Sequence, residues 1–425
     1  GSEMCIRDRT SIPRAYEFSW NDELISLKQF SNVLTSSIHG IGRELDTRVS
    51  GIPVILYNAL GFAVTDIAEI ELDLPKAPKG ITVYDEKGKK VSAQLISYTD
   101  GKARILVEAT VPATGYVVYD VRTSGTGASN VSTNVNTLEN SLYKITLDKN
   151  GDIVSLTDKK NGKELVKAGK AIRLALFTQN KSYNWPAWEV LKETTDRTPV
   201  SITDDVKITL VEDGTLRKSL CVEKRHGESV FRQYIRLYEG SRAERIDFYN
   251  EIDWQSTNAL LKAEFPLNIE NEKATYDLGI GSIQRGNNTE TAYEVYAQYW
   301  ADLTDHDGSY GVSVMNDSKY GWDKPDNHTI RLTLLHTPET RGGYAYQDHQ
   351  DLGHHTFTYS LIPHQGALDK PATVEKAEKL NQQLKAFRTE KHKGNAGKSF
   401  SFVASDNRNV LIKALKKAEE TDEYV

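Results

Sequence analysis

From Pro53 onward, the hydrophobic residues of this 425-residue chain recur with a period of two, and the pattern persists almost to Pro363. Successive side chains on a strand point to opposite faces, so such runs fit half-buried antiparallel strands and not amphipathic helices. Ile70, Leu72 and Leu74 alternate with Glu69, Glu71 and Asp73, and Tyr143, Ile145 and Leu147 alternate with Lys144, Thr146 and Asp148. Gly88 and the pairs Asn150-Gly151 and Asn161-Gly162 supply turns. Further strands are expected over 105–107, 116–121, 153–156, 216–225, 231–238, 243–254, 261–266, 310–316 and 330–336. A stretch rich in Gly, Ser, Thr and Asn at 123–134 marks a loop or domain boundary. Many strands at short spacing, with no alternation of strand and helix, predict a mainly β protein of antiparallel sandwich domains.

Helical period is confined to the ends. Leu24, Leu27, Leu34, Ile38 and Ile41 recur every three or four residues, with Ser19, Asp22 and Glu23 as an amino-terminal cap and Gly40 and Gly42 as stops. One such helix has nothing of its own kind to pack on, so it is expected to be the last member of a bundle. His355, Phe357, Tyr359 and Leu361 form a late alternating strand that Pro363 stops, and Val374, Ala377, Leu380, Leu384 and Phe387 give a second helical stripe. Residues 409–420 fit a helix by composition or a strand by the alternation of Val410, Ile412 and Ala414. The first ten residues have no period and read as a non-native leader.

Composition excludes several classes. Charged residues make up 26% and the net charge is −6; Lys and Arg are interleaved with Asp and Glu, so there is no basic stripe for nucleic acid. No apolar run approaches the roughly 20 residues that cross a bilayer. The two cysteines, Cys5 and Cys221, form no CxxC pair; the reading is a reduced, cytoplasmic setting with neither a disulfide framework nor a thiolate metal site. HExxH, GxSxG, P-loop and dinucleotide-binding glycine patterns do not occur.

The densest run of aromatics and amides, around one arginine, lies between Tyr276 and Trp322, and it is the first place to look for contacts. Tyr293, Tyr296, Tyr299 and Trp300, with Trp185 and Trp188, are the rings that would line a saccharide cleft, or else pack within strands. His336, His349, His354, His355 and His364 cluster in sequence, but neighbours on one strand point to opposite faces, so His354 and His355 cannot share an ion. The polar, glycine-rich run 341–353 suits a binding loop at one end of a sandwich.

Taken in order, PVILYNALGF (53–62), VPATGYVVYDV (111–121), LENSLYKITLDKNGDIVSLTDKKNGKELV (138–166), WPAWEV (185–190), DWQSTNALLKAEFPL (253–267) and DLGHHTFTYSLIPH (351–364) resemble the C-terminal half of a glycoside hydrolase family 38 α-mannosidase. The resemblance implies a galactose-mutarotase-like supersandwich at 135–370, a small β-sandwich at 51–125, the last helix of a three-helix bundle at 11–50, and a truncated β segment at 371–425. It implies a retaining enzyme that hydrolyses terminal α-mannose residues with a divalent metal, zinc. Metal ligands and nucleophile would belong to an N-terminal barrel and bundle absent here, so no catalytic residue, metal ligand or cofactor is assigned to this chain. The chain alone is expected to be inactive. Its partners would be an α-mannoside or mannose-containing oligosaccharide and its own barrel, with no nucleic acid or membrane, and a homo-oligomer left open. Tyr276, Arg285, Asn287 and Asn288 match the element that such enzymes send toward the active-site mouth, although RGNN departs from the family's RPTHWN-like pattern. Asp351 and His355 match a DxGxH pattern that binds substrate or holds its loop in shape. The alternative is a freestanding carbohydrate-binding or scaffolding β protein.

Overall fold

The computed structural model describes residues 13–126, 135–186, 188–407 and 409–423. The leader and most of the expected boundary at 123–134 lie outside the described residues. Alternation in sequence becomes alternation in burial. The strand Val64–Asp73 buries Ile70 and Leu72 and exposes Glu69, Glu71 and Asp73, and Tyr143–Leu147 buries Tyr143, Ile145 and Leu147. Gly151 and Gly162 sit at φ +71° and +69°, a conformation that glycine adopts without steric cost, and the chain turns at both.

The first β region pairs two sheets across one core. Lys385–Arg388, Ile52–Asn58, Gly115–Thr126, Ile81–Tyr84 and Lys90–Val91 lie side by side, with Ser399–Ser401 added on Gly115–Thr126. Val64–Asp73, Lys102–Val111 and Ala93–Thr99 form the second sheet. Val54, Leu56, Ile70, Leu72, Ile105, Val107 and Tyr119 pack between them. Strands from the far end of the chain thus complete this sheet, with Val54 opposite Arg388 and Val117 opposite Ser399.

Residues 137–365 build the larger sandwich. Its nine-stranded sheet runs Asp204–Asp213, Arg217–His226, Ser229–Tyr238, Ile246–Trp254, Gly353–Gln365, Tyr310–Asn316, Trp300–Thr304, Ala274–Asp277 and Ser282–Arg285. The six-stranded sheet runs Val200–Ser201, Arg173–Thr178, Ala259–Pro266, Thr329–Thr337, Gly321–Asp323 and Val295–Tyr296. One continuous core holds Phe231, Phe248, Trp254, Phe265, Tyr276, Trp322 and Tyr359.

Four details differ from the sequence reading. Helix α1 spans Pro13–Gly42 and so begins before the predicted cap; Ser19 lies inside it and its hydroxyl donates to Glu23 at 3.2 Å. The strand Gly353–Gln365 runs through Pro363, because its partner Ile246–Trp254 ends opposite Leu361 and leaves one edge where a missing N–H breaks no ladder. A short helix α2, Lys192–Thr195, is followed much later by α3, Lys370–Asn381, which stops before Leu384 and Phe387. Asp369 caps α3 by accepting from Ala372 N at 3.1 Å, and Phe387 is recruited into a strand opposite Ile55. Residues 409–423 form neither helix nor strand; they cross Gly61, where an added Cβ would fall 2.1 Å from the Ile412 carbonyl oxygen.

Candidate functional site

Tyr276 and Arg285 lie on the last two strands of the nine-stranded sheet, in a hairpin that pairs Tyr276 with Ile283 and Ala274 with Arg285. Tyr276 has no exposed surface; its ring meets Trp322 edge-on at 6.5 Å inside the core, and burial pushes its phenol up. A ring so enclosed has no face for a sugar, which corrects its assignment as a substrate contact. Arg285 lies 5.3 Å over the Tyr276 ring and donates through Nη1 to the Tyr296 carbonyl at 2.5 Å. Tyr296 belongs to the edge strand of the facing sheet, so Arg285 fastens the two sheet edges together.

Asn287 and Asn288 are likewise engaged within the protein. Asn287 donates to Asn327 Oδ1 and accepts from Lys324 Nζ, both at 2.7 Å; Asn288 donates to Asp323 Oδ2 at 3.0 Å and accepts from Lys324 N at 2.9 Å. Lys324 is buried, which pushes its ammonium down to about 8 against the pull of Asp326 and Glu272. These bonds anchor the loop that carries both amides, which stay half-buried, with Asn288 at the edge of a cleft.

Beyond Asn288 lies a feature that the sequence reading missed, a row of ionised side chains across the outer face of the six-stranded sheet. Register sets Arg173 opposite Glu264, Glu264 opposite Arg331 and Arg331 opposite Asp323. Arg173 Nε and Arg331 Nε donate to the two oxygens of Glu264 at 2.9 and 2.8 Å. Lys262 Nζ, fully buried, reaches Asp323 at 2.6 Å and Glu294 at 2.5 Å. Burial alone would drive the Lys262 ammonium toward its neutral form; the two carboxylates more than reverse that and hold it above its usual range. Arg173, Glu264, Arg331 and Asn288 face a polar cleft of about 840 Å³. A signal was available in LLKAEFP, where Lys262 and Glu264 alternate with the core residues Leu261, Ala263 and Phe265.

Asp351 and His355 sit elsewhere. His355 opens the fifth strand of the nine, four strands from Arg285, or about 19 Å at the usual strand spacing. Asp351 is in the left-handed region at φ +59°; its Oδ2 accepts from His336 N at 2.8 Å and its carbonyl pairs with His355 Nε2 at 2.6 Å. Thr337, which takes a 2.9 Å bond from buried Trp254 Nε1, donates to the Gln350 carbonyl. These bonds fix the shape of the loop 338–352. Among the described residues, no three His, Cys, Asp or Glu side chains converge where a metal ion would sit.

That loop meets a second one. Thr178 and Thr337 both end strands opposite Ala259, so the segments after them leave the same end of the six-stranded sheet and join through the parallel pair Lys181–Ser182 and Glu339–Thr340. They carry the exposed rings. Trp185 stacks on Trp188 with centroids 5.5 Å apart, and Tyr344 tilts against Trp185 at 6.4 Å. Of the other suggested rings, Trp300 is buried against Met315 and Ile362, and Tyr296 stacks on Tyr320.

Fold and site define a large antiparallel β-sandwich protein with a polar cleft on one sheet and aromatic loops at its end. Residues 138–340 match the model of the glycosyl hydrolases family 38 C-terminal domain. Alpha-mannosidase G of Dictyostelium discoideum is 26% identical over 402 residues, 88% of this chain and 34% of the relative. Human alpha-mannosidase 2C1 is 25% identical over 413 residues, 94% of this chain and 38% of the relative. The crystal structure of an alpha-mannosidase from Enterococcus faecalis superposes with a TM-score of 0.76 at 16% identity, covering 97% of this chain and 55% of that one. Residues 138–340 thus resemble the glycosyl hydrolase family 38 C-terminal domain, and the relatives align with the chain well beyond that stretch. The chain spans little more than a third of the length of the curated relatives it matches. No helix among the described residues is long and apolar enough to cross a membrane.

Proposed function

We propose that this chain is the β portion of a retaining α-mannosidase that removes terminal α-mannose residues from mannose-containing oligosaccharides. The observation that carries the reading is the family 38 C-terminal match over 138–340, joined to relatives named alpha-mannosidase that align along nearly the whole chain. In this reading the carboxylate nucleophile, the acid/base and a divalent metal, zinc, belong to an N-terminal barrel, and the chain docks on that barrel in the cytoplasm. The exposed apolar side chains of α1, among them Leu24, Leu27 and Phe30, support docking through a helical bundle, because so large an apolar stripe is covered in a folded protein. Arg285, Asn287 and Asn288 serve by holding the sheet edge and cleft wall in shape, and Asp351 and His355 by holding the loop 338–352.

The test compares the purified chain with the product of the whole gene on 4-nitrophenyl α-mannoside. The whole product turns it over and loses that activity with a chelator, while the chain alone gives no turnover. Metal-dependent hydrolysis by the chain alone, or a whole product without α-mannosidase activity, would overturn the reading.

A further inference from the structure

Elsewhere in the large sandwich, aromatic rings are mostly buried in the core, yet Trp185 and Trp188 are each 53% exposed and Tyr183 and Tyr346 nearly as much. These rings are not held loosely. The Glu189 carboxylate turns back into its own loop, where Oε1 accepts from Ser182 Oγ at 2.6 Å, from the N–H of Tyr183 and of Asn184 at 2.8 Å, and from Trp185 N at 3.2 Å. Val190 then anchors the loop by packing on Ala175, Phe177 and Leu260. The neighbouring loop is tied down by Asp351, Thr337 and His355, as described above. Two segments are therefore preorganised to hold a surface of rings outward, and preorganisation is what a weak ligand requires of its site.

The surroundings say what kind of ligand fits. Tyr183 OH donates to Glu193 at 2.7 Å, Arg341 lies 5.5 Å over the Tyr344 ring, and Asp348 and His349 stand exposed beside them. Rings set among charged and amide groups suit a pyranose, whose C–H face stacks on an indole while its hydroxyls reach the polar rim. The centre of a protein interface is depleted of charge, which fits the exposed stripe of α1, whereas Glu193, Arg341, Asp348 and His349 stand among these rings.

We propose that Trp185, Trp188 and Tyr344 form a stacking platform for sugar rings of a mannose-containing oligosaccharide; the choice of mannose rests on the α-mannosidase reading above. The test titrates the full chain with α-linked mannotriose, and in parallel with maltotriose, following tryptophan fluorescence and calorimetric heat. Mannotriose binds, and Trp185→Ala or Trp188→Ala weakens it about tenfold, the loss of one good ring contact. Tyr344→Ala weakens it less, with the thermal midpoint unchanged in all three. Maltotriose bound through the same tryptophans, with mannotriose ignored, keeps the platform and overturns mannose as its ligand. Failure of both sugars to bind, or binding that survives both tryptophan substitutions, overturns the platform and leaves the family assignment standing.

Discussion

The outer face of the six-stranded sheet and the loops rising from one of its ends are a short distance apart, and they use polar groups in opposite ways. On the face, Arg173, Glu264, Arg331, Asp323, Lys262 and Glu294 are bonded to one another, so a row of ions becomes an internal part of the fold. In the loops, Glu189 is turned inward onto backbone N–H groups, and the apolar rings are left in solvent. Charges that satisfy each other have little left for a ligand. The half-exposed rings, on a backbone tied down by Glu189, form the surface proposed above to meet a sugar.

The largest effect should come from the row. Lys262→Met leaves Asp323 and Glu294 without their shared cation, a cost of about 3–5 kcal/mol for a broken buried pair; urea unfolding that shows a loss under about 1 kcal/mol would remove the row from the account of stability. Glu189→Ala comes next, at about 1–2 kcal/mol for a carboxylate accepting several hydrogen bonds. Hydrogen exchange should rise at 182–185 while the core strands stay protected, and uniform loss of protection would show that the loop is not a separate element.

Glu189 also gives the loops a pH signature of their own. Burial raises the pKa of its carboxyl, but bonds from Asn184 N, Ser182 Oγ, Trp185 N and Tyr183 N outweigh it and the net shift is downward. A carboxyl lowered in the fold contributes stability above its unfolded value near 4.5, and that contribution disappears as pH falls through the folded value. Exchange at 182–185 should therefore be slow at pH 6 and rise selectively as pH drops below about 4; a rise centred above pH 6 would contradict the assignment.

Arg285→Ala should cost about 1 kcal/mol, from one hydrogen bond and one ring contact. In the whole enzyme kcat/KM should follow stability alone, and a large fall in kcat with an unchanged thermal midpoint would restore Arg285 as a substrate residue. The smallest effect belongs to Trp188→Ala, which should move stability by less than about 0.5 kcal/mol because half the ring is already in solvent. A larger loss would make the ring part of the core and blur the contrast between face and loops.

Much of this was legible in one dimension. Alternation along 69–74, 143–147 and 355–361 located strands, and the Asn-Gly pairs located turns, because both signals are local. The stripe through Val374 and Leu380 found α3 but extended it too far, since pairing with Ile52–Asn58 captured the residues around Phe387. For the site the balance was different. The sequence named Trp185, Trp188 and the run 341–353 separately, with no sign that they adjoin. Tyr276 and Arg285 were conspicuous by composition, yet burial and a bond to the opposite sheet edge gave them structural work. Lys262, Glu264 and Arg331 drew no notice, because a charge within an apolar strand is ambiguous until its cross-strand neighbour is known.

The chain's residues by themselves determined the antiparallel β character, the turn positions, the helix at each end and the resemblance to family 38, since each rests on short-range period or on runs of matching residues. Only the tertiary structure decided which polar groups are occupied and which rings remain free. Those outcomes depend on register: Arg173, Glu264, Arg331 and Asp323 meet because four strands align, and Thr178 and Thr337 end together opposite Ala259. Pairings between residues far apart in the chain leave no trace in any window of it, and here they separate a closed row of charge from an open surface of rings.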